Sequence, residues 1–186
     1  MDQSQQEEFL TDHIPYRLRS VELLCVVCVA RLSGASPQRV EILFDSIPFL
    51  TSNSIGLIAN PFLEVGLMFG RVLLEFLGIK LDRQGQLVPR MRREATDVVI
   101  EDLDGLRAIP IDALDQVPLA QADAVRRSIV SLIATSHKGV AHLTFDATHR
   151  PTLQELHLAS QVVPWLVCEH VYRRMNREVP RYQLAV

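Results

Sequence analysis

At 186 residues, with 48% apolar and 22% charged side chains, the chain can bury one sizeable core, which excludes a disordered chain. Its net charge of -3 excludes a protein whose whole surface serves phosphate backbones and leaves room only for a local basic patch. The most apolar stretches, 21–30 and 62–77, are shorter than the roughly 20 residues that span a bilayer, so no membrane segment is expected.

The polar, acidic opening "MDQSQQEEFL" has no basic region ahead of an apolar one. No secretory signal is therefore expected, and a cytoplasmic location is. Three cysteines, an odd number, suit that compartment better than a disulfide framework does.

Between 14 and 32, Ile14, Leu18, Val21, Leu24, Cys25, Cys28, Val29 and Leu32 recur at helical spacing. Pro15 suits a first turn and Gly34 a stop. Ser36-Pro37 predicts a second helix with Val40, Leu43, Phe44 and Ile47 on one side, ended by Pro48 or by the run "TSNS". Asn60-Pro61 predicts the start of a third, an asparagine cap followed by proline at the first helical position. That helix is apolar almost all round and is expected innermost in a bundle. An Arg71–Glu75 ion pair would offset the charges it carries inward.

From 78 to 118 the pattern changes. "IKLDRQGQLVPR" alternates about a turn and predicts a small hairpin, while "DVVIEDLDG" and "AIPIDAL" read as short extended pieces or single helical turns. So long a connection is commonly functional or mobile. Helix returns at Leu119, with Ala122, Val125, Ile129, Leu132 and Ile133 as its stripe. A last helix opens on a capping box, Thr152 with Glu155, and Pro164 is expected to kink it. The chain thus reads as one domain over 1–186: an all-α bundle of about five helices with an irregular insertion between helices three and four.

Cys25 and Cys28 have redox spacing but lie mid-helix in an apolar stretch, where burial makes a thiol inert. No H-E-x-x-H, glycine-rich phosphate loop, G-x-S-x-G or paired-carboxylate signature occurs, so neither a metal nor a cofactor is expected. Two basic clusters, "RMRR" at 90–93 and "RRMNR" at 173–177, offer phosphate contact or plain solvated surface. His142, between Ala141 and Leu143, reads first as a structural residue facing inward, with a proton-transfer role open to it.

Four segments together carry a resemblance. "EEFLTDHIPYRL", "NPFLEVGLMFGRVLLEFL", "SHKGVAHLTFD" and the closing helix with Trp165 resemble a group of uncharacterised bacterial helical proteins. The matching residues are His13, Pro15, Tyr16, Asn60, Glu64, Arg71, Leu74, Phe76, Lys138, Ala141, His142, Leu143 and Thr144. That group is similar in architecture to HEPN-type domains, helical bundles often found in RNA-cleaving toxins and defence proteins. The resemblance implies RNA as partner, a homo-oligomer (commonly a dimer), and metal-independent cleavage by an arginine and a histidine a few residues apart. Arg150 and His157 fit that spacing, with Lys138 and His142 as a competing basic pair. The implied catalytic set is His142, Arg150 and His157; the implied RNA contacts are Arg71, Lys138, Arg173 and Arg174. The alternative is a non-catalytic helical dimerisation module. A third reading is a ligand-binding bundle with a pocket near Glu64 and Arg71.

Overall fold

The structure, a computed structural model, describes residues 1–34, 40–53, 55–91, 94, 96–137 and 151–180. Helices α1 (Gln3–Glu8) and α2 (Ile14–Leu32) form one run broken by a π-turn over Phe9–His13. Asp2 caps it: its carboxylate accepts the Gln5 N–H at 2.8 Å, and the Gln5 side chain accepts the Asp2 N–H at 2.9 Å. Proline explains the wide turn. The Ile14 N–H bonds the Phe9 carbonyl, one residue further back than in an α-helix, and Pro15 has no N–H to give. The Leu10 carbonyl is thereby left without a helical donor. Tyr172, 3% exposed, donates its hydroxyl to that oxygen at 2.7 Å.

The helix expected after Ser36-Pro37 is corrected. Residues Val40–Phe44 (β1) and Ile47–Ser52 (β2) form an antiparallel hairpin. Its loop, Asp45–Ser46, has φ of 48° and 67°, the signature of a type I′ turn. Apolar residues three and four apart in this stretch also alternate, and the strand-forming residue types decided between the two periods. In a two-stranded sheet both strands are edges, which accommodates Pro48. With a second small sheet further on, the molecule is mostly helical and not strictly all-α.

Helix α3 (Ile55–Phe76) begins before Asn60-Pro61, so Asn60 does not cap it. The Asn60 side-chain oxygen instead accepts from Arg31 at 2.7 Å. α3 runs antiparallel to α2, from that contact to the Phe9–Phe76 ring pair at 5.5 Å. The two backbones meet at Gly66, where a Cβ would lie 2.5 Å from the Leu24 Cβ and 2.8 Å from the Ser20 carbonyl. The expectation that α3 is innermost is also corrected. α3 packs on α2, which packs in turn on α5. Along α3, Leu67, Leu73 and Leu74 are fully buried, but Leu57 is 60% exposed, with Val65 and Met68 also exposed. Uniform apolarity speaks of burial around a helix and says nothing of burial along it.

The 78–118 segment is woven into the core. β3 (Ile79–Leu81) pairs with β4 (Leu87–Pro89), as the alternation predicted. The Asp82 carboxylate closes their turn by accepting the Gln84 and Gln86 N–H groups at 2.9 and 2.8 Å. Gly78 joins α3 to β3 at φ 96°, its absent Cβ only 2.6 Å from the Ala108 Cβ. Two 3₁₀ turns, Ile100–Asp102 and Ile111–Gln116, contribute the buried Ile100 and Leu114. Helix α4 (Ala122–Thr135) starts later than expected and leaves Leu119 exposed. Helix α5 (Leu153–Val167) opens on the predicted capping box, and Glu155 also accepts from Ser131 of α4 at 3.1 Å. α5 contains Pro164 and ends in a π-turn over Cys168–Arg173. Among the described residues, no helix is long and apolar enough to cross a membrane.

Candidate functional site

Three elements meet beside the buried half of α3: the end of α4, the β3–β4 hairpin and α3 itself. Arg71, on α3, places one terminal guanidinium nitrogen 3.3 Å from Nδ1 of His137, just past the end of α4. The predicted partner Glu75 lies one turn on, 3.4 Å from Arg71 Nε. That contact is an ion pair without hydrogen-bond geometry, so the buried Nε lacks a hydrogen-bond acceptor. An arginine can only donate. In this contact Nδ1 of His137 therefore accepts, and the neutral ring carries its proton on Nε2.

His137 also lines a groove of about 930 Å³ between the hairpin and α4. Val130 and Ala134 of α4 line one side, with Lys80, Arg83 and Met91 on the other. Ile79 is buried beneath, so period-two alternation turns Lys80 outward, with Val88 directly opposite it across the ladder. Neither Lys80 nor Arg83 makes an ion pair with a described residue. Four arginines elsewhere are held by carboxylates: Arg90 by Asp97, Arg126 by Asp115, Arg173 by Glu169 and Arg177 by Glu7.

Of the residues implied in catalysis, His142 and Arg150 lie outside the described residues, as does Lys138. His157 is half-buried on the first turns of α5, and its carbonyl accepts the Ser160 hydroxyl at 2.6 Å. Its ring makes no hydrogen bond to a described residue. Arg173 and Arg174 are exposed at the far end of α5, near the Tyr172–Leu10 bond, and no described contact joins them to Arg71. Glu64 lines a shallow depression of about 550 Å³ with Leu57 and Asn60, a site that does not include Arg71.

The sequence reading missed His137, Lys80 and Arg83 as a group. Alternation in "IKL" carried the outward placement of Lys80, but no local signal brings that hairpin against α4. Cys25 and Cys28 are buried, and burial pushes the Cys28 thiol up to about 11, which makes it inert. His170 is buried with Nδ1 lacking a hydrogen-bond partner, and burial holds its pKa below the usual imidazole range. Among the described residues no cluster of three His, Cys, Asp or Glu side chains is placed to hold a metal ion. Comparison with known protein families, characterised proteins and solved structures gives no match.

Proposed function

We propose that this protein binds RNA and cleaves it without a metal ion, the activity its HEPN-like segments imply, in a toxin or defence role. The observation that carries the reading is the 3.3 Å contact between Arg71 and His137. A phosphodiester entering this site competes with Nδ1 for the guanidinium, because an anion brings a full opposite charge and can accept two parallel N–H bonds, whereas the neutral ring nitrogen accepts one. Nδ1 then takes the 2′-hydroxyl proton. The 2′-oxygen attacks phosphorus while the bond to the 5′-oxygen breaks. Arg71 neutralises the phosphoryl charge, and water supplies the proton to the leaving oxygen. The products are a 2′,3′-cyclic phosphate and a 5′-hydroxyl end.

The test is incubation with a labelled single-stranded RNA in chelator, comparing wild type with His137→Ala, His142→Ala and His157→Ala. Cyclic-phosphate ends from the wild type are expected, with cleavage by His137→Ala down about 100-fold or more. No cleavage by the wild type would overturn the activity. Full cleavage by His137→Ala with loss in His142→Ala or His157→Ala would move the base to the Lys138/His142 or Arg150/His157 pair.

A second reading, a non-catalytic module that pairs with a second copy of itself, is supported by a different surface. Leu57, Pro61, Val65 and Met68 follow one another along an exposed stripe of α3. Sedimentation velocity across a concentration series tests it: a dimer is expected, and a monomer throughout would end this reading.

A further inference from the structure

We infer that the groove between the β3–β4 hairpin and α4 is a nucleotide site, binding the phosphate of a single-stranded RNA segment with its base laid on the apolar lining. This deepens the RNA reading and rests on it for the identity of the polymer, though not for the cleavage step. Four observations support it.

The first is charge. The chain is acidic overall, and Arg71, Arg90, Arg126, Arg173 and Arg177 are each paired with a carboxylate. Lys80 and Arg83 line one groove and have no such partner among the described residues. Asp82, also in the lining, spends one carboxylate oxygen on the amides of Gln84 and Gln86. Two cations against that one carboxylate leave the groove net positive, before any contribution from His137 or Arg71.

The second is size. About 930 Å³ is far more than a lone phosphate fills, and lies near the top of the roughly 300–1,000 Å³ typical of ligand pockets. The third is lining chemistry. Val88, Pro89, Met91, Val130 and Ala134 form an apolar shelf beside the cations, and Met91 is 84% exposed. A planar base has an apolar face for such a shelf, and the Arg83 guanidinium offers a second plane for stacking. The fourth is continuity. His137 belongs both to the groove lining and to the contact with Arg71, so a strand lying in the groove leads its backbone to that pair.

The experiment is fluorescence anisotropy of a labelled single-stranded hexanucleotide RNA, made with 2′-O-methyl groups so that it cannot be cleaved. Proteins compared are wild type, the double variant Lys80→Glu/Arg83→Glu, its conservative counterpart Lys80→Arg/Arg83→Lys, and Arg173→Glu/Arg174→Glu. Circular dichroism confirms that each is folded. The charge-reversed groove is expected to lose at least about tenfold in affinity. Its salt dependence should flatten by about 0.7 in log–log slope, the value for one single-strand phosphate that is no longer neutralised. The conservative variant is expected to bind like wild type, and the 173/174 variant to lose less affinity than the charge-reversed groove.

Equal affinity for wild type and the charge-reversed groove would overturn the site. So would loss of binding confined to the 173/174 variant. Equal competition by poly-glutamate at matched charge would overturn the nucleotide assignment in favour of an acidic peptide. Groove-dependent binding by a wild type that cleaves no natural RNA would sink the cleavage reading and leave this one standing.

Discussion

Hairpins β1–β2 and β3–β4 are both short and antiparallel, yet among the described side chains only the second is seated on the core. In β3–β4, Ile79 is fully buried, and Leu81 and Leu87 pack against the main cluster. Backbone bonds tie its approaches down: the Arg90 N–H reaches the Gly78 carbonyl at 2.8 Å and the Ile109 N–H reaches the Leu77 carbonyl at 2.9 Å. In β1–β2, Leu43 and Ile47 are exposed and Phe49 is 76% exposed. An isolated two-stranded ribbon is marginal in water, so a hairpin takes its rigidity from what lies under it. The hairpin with support can hold Lys80 and Arg83 at fixed places beside α4, and the one without cannot position a site.

The sharpest way to break that contrast is Ile79→Ala. Removing a fully buried isoleucine should cost about 2–5 kcal/mol in urea unfolding. A loss below about 1 kcal/mol would mean that β3–β4 is not seated as described. Gly78→Ala comes next, with an expected loss of about 1–3 kcal/mol. The new methyl meets the Ala108 Cβ at 2.6 Å and must adopt a φ of 96°. An unchanged midpoint would show that the α3–β3 junction relaxes freely. The smallest effect is expected of Phe49→Ser, within about 0.5 kcal/mol of wild type, because the ring is already in water. A loss as large as that of Ile79→Ala would place β1–β2 on a core that the structure does not give it.

Much of the helical frame was legible. α2 from Ile14, the stop at Gly34, the Thr152–Glu155 cap, the Arg71–Glu75 pair and the β3–β4 turn all followed from local chemistry. What was not legible fell where two periods fit one stretch, or where contacts join distant segments. Val40, Leu43, Phe44 and Ile47 fit a helical face and a strand almost equally, and Asp45-Ser46 is a weaker hairpin signal than Asn-Gly or Asp-Gly. The early start of α3 was hidden because Asn60-Pro61 has the composition of a helix start while serving mid-helix, its asparagine engaged by Arg31. The meeting of Arg71 with His137 spans 66 positions, and no local pattern encodes it.

The phenol of Tyr172 fills a gap that Pro15 opens in the first helical run, from 162 positions away. During synthesis that run emerges before Tyr172 does, with one carbonyl left to water. Its final geometry is sealed only when the last helix has left the ribosome. Whatever partial structure forms beforehand, the native N-terminal helix and the closing one are completed together.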